Sequence, residues 1–133
     1  MSPSLKEIRK FAENYVVKWC KEKRHIKLVK PGKGEHGFDF KDKDGKLFIE
    51  VKGTSATKVG KVLFRYLTDN EYKMAKMCLN KDLTYEIHLI VGINSGKIQH
   101  YIIPAKDFVN KCKQEVWWVL PIRAKDITKY KVT

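Results

Sequence analysis

Asp39, Glu50 and Lys52 are the residues of this chain whose types and spacing could do chemistry. They lie in Gly37–Lys52, GFDFKDKDGKLFIEVK, where Asp44-Gly45 marks a hairpin turn. A turn that suits twisted strands needs positive φ, which Asp-Gly accommodates. Centred there, the hairpin sets Phe40 opposite Ile49 and Asp39 opposite Glu50, with Cβ atoms about 4.5–5.5 Å apart. Alternation puts Lys41, Phe48 and Lys52 on the face of the two acids. Phe38, Phe40, Leu47, Ile49 and Val51 then line the other, a core face. Opposed carboxylates destabilise a sheet unless something compensates. A divalent metal, with Lys52 alongside, would do so. Gly37 and Gly53 flank the set and allow a backbone or phosphate to approach closely. The alternative is a solvated strand face of alternating charge, common in antiparallel sheets. The apolar surroundings favour a central hairpin and the metal.

The elements that must position these residues follow from pattern. Ser4-Leu5-Lys6-Glu7 is a capping box, and Leu5, Ile8, Ala12, Tyr15, Val16 and Trp19 recur at helical spacing to about Cys20. Glu13 lies beside that stripe rather than opposite it. His25–Val29 reads as a short strand, and Pro31–His36 as a loop before the hairpin. Gly53–Lys61 reads as a polar loop and Val62–Leu67 as a strand. Thr68-Asp69-Asn70-Glu71 opens a second capped helix through about Leu79. Tyr85–Ile93 is a buried strand, turned by Asn94-Ser95-Gly96 into a partner at Lys97–Ile103. Ala105–Lys113 is expected as a short amphipathic helix and Val116–Leu120 as a last strand. Helices interleaved with strands imply an α/β (α+β) fold, a mixed central β-sheet flanked by helices, in a single domain over residues 1–133.

The chain has 133 residues, enough for one real core, and 43% of them are hydrophobic. Lys and Arg number 28 against 15 Asp and Glu, a formal charge of +13. Such an excess attracts polyanions, nucleic acid first among them; a lysine-rich solvated surface is the plainer explanation. The acids cluster within Asp39–Glu50 while the segment before Gly37 is densely basic. That arrangement suits a site that draws in phosphate and holds metal at its centre. No apolar run approaches the roughly 18 residues of a membrane span, and no signal-peptide pattern opens the chain. Cys20, Cys78 and Cys112 are odd in number and far apart, so reduced thiols in the cytoplasm are expected.

Other motifs carry less. Gly32-Lys33-Gly34-Glu35-His36-Gly37 matches G-x-G-x-x-G, but a dinucleotide site needs a helix directly after the glycines, and a strand follows here. His25, His36, His88 and His100 lack metal-ligand spacing. His88 and His100 read as packed or surface side chains, and His36 as a neighbour of the site. Trp117-Trp118 reads as core and surface aromatics.

At Gly37-Phe38-Asp39, followed after a ten-residue gap by Glu50-Val51-Lys52, the chain resembles the PD-(D/E)XK nuclease superfamily. Phe38 stands where the name-giving proline would be, a position that varies widely. The upstream helix would contribute Glu13. IEVKGTS and then FRYLTDNEYKMA are similar to one branch, the NO VEIN C-terminal-like domains, over roughly residues 8–103. The resemblance implies a restriction-endonuclease-like fold. It implies that Asp39, Glu50 and the Val51 carbonyl bind Mg²⁺ or Mn²⁺. Lys52 would orient water or stabilise charge on the phosphate, and Glu13 would hold a metal-bound water or a second ion. A homodimer would also fit such a nuclease. The expected function is metal-dependent hydrolysis of nucleic-acid phosphodiesters, with DNA the favoured substrate and Lys33, Lys41, Lys58 and Lys61 contacting it. A binding module without turnover is the alternative, and a protein-interaction or regulatory domain a third reading. The third alone expects no salt-sensitive affinity for nucleic acid.

Overall fold

The computed structural model describes residues 3–57, 66–114 and 118–133. Helix α1 (Leu5–Trp19) begins at a capping box: Ser4 Oγ accepts from the Glu7 amide and Glu7 Oε1 from the Ser4 amide. It widens into a π-helical turn, Cys20–Arg24, and stops where His25 takes a left-handed φ of 58°. The strand expected over His25–Val29 is therefore shorter: β1 is Leu28–Val29.

Strands β2 (Phe40–Asp42) and β3 (Leu47–Thr54) pair in the expected register, with Phe40 opposite Ile49. The connection differs from a two-residue turn. Only Gly45 has positive φ, and the Asp42 carboxylate accepts from the Lys46 and Leu47 amides. A side-chain-capped loop of residues 43–46 thus keeps the register that Asp44-Gly45 suggested.

After β4 (Tyr66–Leu67), the second capping box starts α2 (Asp69–Asn80) at Thr68. The chain continues through β5 (Thr84–Val91) and β6 (Gln99–Pro104). The main sheet runs β1-β2-β3-β5-β6, with β3 and β5 parallel and the other neighbours antiparallel. A small sheet joins β4 to β8 (Trp118–Val119) and β7 (Lys113–Gln114). The helix expected over Ala105–Lys113 is instead two 3₁₀ turns, Ala105–Asp107 and Val109–Lys111, broken at Phe108, which is fully buried. Burying Phe108 overrides the weak helical periodicity. A last 3₁₀ segment, Ala124–Tyr130, precedes a bridge from Lys131 to Tyr101.

The main sheet separates two cores in one α+β domain. On one face Ile8, Ala12 and Val16 of α1 pack against Phe40, Ile49 and Val51. On the other, Tyr72, Ala75 and Cys78 of α2 pack with Phe48, Tyr85 and Ile87. Both faces of β3 are therefore covered, and the face assigned to charge also carries core. Phe38 changes sides relative to the alternation expected of it. It precedes β2 and meets Phe48 edge-on at 4.9 Å, in the α2 core rather than beside Phe40.

Two glycines set the spacing of these layers. Gly37 (φ +89°) presses on α2, where a side-chain carbon would collide with the Asn70 carbonyl and lie 2.8 Å from Met74 Cβ. Gly53 lets α1 approach β3: a Cβ there would stand 2.7 Å from Ala12 Cβ. No helix among the described residues is long and apolar enough to cross a membrane.

Candidate active site

Asp39 stands one residue before β2, and its amide donates to the Ile49 carbonyl at 2.8 Å, continuing the hairpin past the strand. Its Oδ2 accepts from the Val51 amide at 2.8 Å. The aspartate thus satisfies a backbone donor of β3 while facing Glu50, close enough for each carboxyl to shift the other. Glu50 and Lys52 project from β3 toward α2. Lys52 Nζ lies 3.7 Å from Glu50 Oε2 and 3.7 Å from Glu71 Oε1. From the other side, the close contact of Ala12 with Gly53 brings in the first turns of α1. Arg9 Nε donates to Glu13 Oε2 at 3.2 Å, and Nη2 to Asp39 Oδ1 at 3.5 Å. An open cleft of about 330 Å³ runs between α1 and β3, lined by Arg9, Asp39, Glu50, Val51, Lys52 and Glu71. Asp39 also borders a second cleft of about 310 Å³, with Arg9, Glu13 and Lys30.

The structure therefore brings Asp39, Glu50, Val51 and Lys52 together, and joins Glu13 to them through Arg9. Arg9 and Glu71 are additions. Glu71 carried a visible signal, but as the third residue of a capping box. Its carboxylate takes the Thr68 amide and also lies near Lys52. Arg9 was visible only as an i, i+4 partner of Glu13.

The proposed phosphate contacts fare unevenly. Lys33 is exposed in the glycine loop. Lys41 is held by Glu35, whose two oxygens lie 2.8 and 2.9 Å from its Nζ. Lys58 and Lys61 lie outside the described residues, as does Trp117. His36 is an exposed loop residue.

Electrostatically the two acids are under-compensated. Burial raises the Asp39 carboxyl above its ordinary value, against the Val51 amide and Glu50, which pull it down. Glu50 is raised well above its own, first by burial and next by the charge of Asp39, with Lys52 opposing. A carboxylate placed for stability alone would not be held so. Glu50→Gln is expected to stabilise the fold by about 1–2 kcal/mol at pH 7, the usual trade between a site and its scaffold. Because the folded Glu50 binds its proton more tightly than the unfolded one, its stability contribution is present below pH 4.5 and lost as pH rises. The advantage of glutamine should therefore shrink toward acid. Urea unfolding at several pH values measures this, and a Gln variant less stable than wild type at pH 7 would mark Glu50 as structural.

The donor set fits Mg²⁺ or Mn²⁺. Two carboxylates and a backbone carbonyl are hard oxygen ligands, and Mg²⁺ takes one or two carboxylates while keeping several waters. Among the described residues no group of three or more His, Cys, Asp or Glu side chains is placed to hold a metal ion, so the side-chain ligands here would number two.

The sequence profile described as Protein NO VEIN, C-terminal, matches residues 8–103. The chain belongs to the NO VEIN C-terminal family. The matched span covers the acid pair, Lys52, Arg9, Glu13 and Glu71, so the charged lining of the cleft in this NO VEIN C-terminal domain lies inside the family's own sequence pattern, while Leu5 at its edge does not. Neither a curated protein nor a solved structure matches the chain.

Proposed function

We propose that this NO VEIN C-terminal domain is a metal-dependent nuclease of the PD-(D/E)XK, restriction-endonuclease-like kind, cleaving phosphodiesters of nucleic acid and DNA by preference. The observation that carries the reading is the opposed pair of half-buried Asp39 and buried Glu50, both raised above ordinary carboxyl values, with Lys52 beside them in an open cleft. Asp39, Glu50 and the Val51 carbonyl would hold Mg²⁺ or Mn²⁺. Bound there, the cation would polarise a phosphoryl oxygen and lower the pKa of a water.

The chain's own residues would do the rest. Asp39, tied to the Val51 amide, is fixed in direction without a flexible partner. Lys52, only 16% exposed, presents a charge that can orient the attacking water or meet charge developing on the phosphate. Glu13, at the neighbouring cleft, would accept a proton or hydrogen bond from water. The +13 charge supplies sequence-independent affinity for the polyanion, with Lys33 and Lys30 exposed for it. Three free thiols suit a reducing, cytoplasmic setting.

The test is nicking of supercoiled DNA by purified protein with Mg²⁺ or Mn²⁺, beside Asp39→Asn and a chelator control. Wild type should cleave, and both controls should not. Equal nicking by Asp39→Asn would assign the activity to a contaminant and overturn the reading. Salt-sensitive duplex binding without cleavage would favour the binding module.

A further inference from the structure

Among the described residues two cations touch the acid cluster, and they are held in opposite ways. Lys52 is nearly buried between Glu50 and Glu71, 3.7 Å from each, and has nowhere to go. Arg9 is 72% exposed, and its fork reaches Glu13 at 3.2 Å and Asp39 at a long 3.5 Å. It stands between the two clefts and lines both. Its helix pairing is also the weaker one, because an acid placed N-terminal to the base at i, i+4 is the favourable order and here the base comes first. An exposed, long and poorly oriented pair is easily exchanged.

We propose that Arg9 is a movable counter-cation of the site, holding Asp39 and Glu13 in the free protein and releasing them when a divalent cation binds. The freed guanidinium then turns to a phosphate of the nucleic acid beside Asp39. This rests on the nuclease reading above. The same planar fork matches a carboxylate and a phosphate equally well. Lys30, lining the second cleft with Arg9, puts another positive charge where that phosphate would lie.

The two roles predict effects of opposite sign, which a structural helix pair would not produce. Calorimetry with Mn²⁺ alone would compare wild type, Arg9→Gln, Lys30→Gln and Asp39→Asn. Arg9→Gln should bind Mn²⁺ about two- to five-fold more tightly. Lys30→Gln, which removes the same charge without touching either acid, should be near wild type, and Asp39→Asn should not bind. Anisotropy of a short fluorescein-labelled DNA duplex in Ca²⁺ should show Arg9→Gln weakened several-fold.

Unchanged Mn²⁺ affinity in Arg9→Gln, with binding lost in Asp39→Asn, overturns the proposal and leaves the metal site standing. Equal tightening by Lys30→Gln overturns it too, since bulk charge would then explain the gain. Duplex binding unaffected by Arg9→Gln removes the phosphate role. Mn²⁺ binding by Arg9→Gln but not by wild type supports the proposal, and no binding by either overturns both readings.

Discussion

Replacing Lys52 by alanine should lower divalent-cation-dependent cleavage by about 10²–10³-fold, the usual cost of removing one preorganised group that stabilises charge in a transition state. The ammonium is fixed between Glu50 and Glu71 on a central strand, so its charge is already in place before substrate arrives. Mn²⁺ affinity should not fall, because the substitution removes a positive charge from beside the carboxylates. That split distinguishes a group acting on the phosphate or water from one that merely builds the metal site. Lys52→Met keeps the stem that fills the cleft and guards against a packing artefact. Initial rates at saturating Mg²⁺ and Mn²⁺ calorimetry on the same preparations provide the check. A loss below five-fold in both variants would remove Lys52 from the reaction.

Arg24→Ala should cost about 2–4 kcal/mol at neutral pH, although Arg24 is remote from any chemistry, because it would leave a buried carboxylate unpaired. Arg24 donates to both oxygens of Glu86 at 2.7 and 3.2 Å, and stacks over Trp19. Glu86 Oε1 lies 3.0 Å from His88 Nε2, and His88 Nδ1 lies 2.9 Å from His100 Nε2. Burial alone would raise Glu86, but His88 and Arg24 pull it down to about 2. Burial lowers His88 despite the opposing pull of Glu86. Burial, helped by the charges of His88 and Arg24, drops His100 to about 3. Both rings are therefore neutral at pH 7, and the carboxylate sets their proton order. His88 donates from Nε2 to Glu86 and accepts at Nδ1 from His100, which leaves His100 Nδ1 as a bare acceptor. That atom, like Trp19 Nε1, has no hydrogen-bond partner among the described residues.

The same network makes the fold acid-sensitive. A histidine whose folded pKa is depressed contributes stability above the unfolded value of 6.5 and loses it as pH falls. At pH 4.5 His100 alone should cost about 3 kcal/mol. Glu86 adds a loss of the same sign between 4.5 and about 2. Urea midpoints at pH 7 and 4.5 test the histidine, and a further midpoint at about pH 3 tests Glu86. A stability that is flat over this interval in a Glu50→Gln background, where the opposite contribution of that carboxyl is removed, or an Arg24→Ala variant as stable as wild type at pH 7, would contradict them.

What was legible in the sequence depended on whether the signal was local. Both capping boxes, the helices they start, the strands around β5 and β6 and the hairpin register could be read because each rests on neighbours in the chain. The acid pair followed from register. Phe38 misled because alternation holds only inside a strand, and β2 begins at Phe40. Arg9, Glu71 and the His88–His100 pair were not read as parts of sites. Arg9 meets Asp39 through the approach of α1 at Gly53, and Glu71 meets Lys52 through the packing of α2 on β3, contacts that leave no periodic trace. His88 and His100 sit on the antiparallel neighbours β5 and β6, where residue type alone does not show that two rings will meet. The amphipathic pattern at Ala105–Lys113 yielded to the burial of Phe108, a tertiary demand that propensity does not contain.

The sheet's far margin also bears on how copies of this chain could associate. An unpaired outer strand is a template on which another molecule can continue the ladder, the usual route to unwanted association. On β6 the start of that row is already spoken for: the Val132 and Thr133 amides donate to the His100 carbonyl, and the His100 amide donates to the Thr133 carbonyl. Pro104 at the strand's end has no donor to offer. Two copies could pair along the full length of β6 only after Lys131–Thr133 peeled away, so such self-association would carry the cost of undoing the chain's own backbone pairing at His100 and Tyr101.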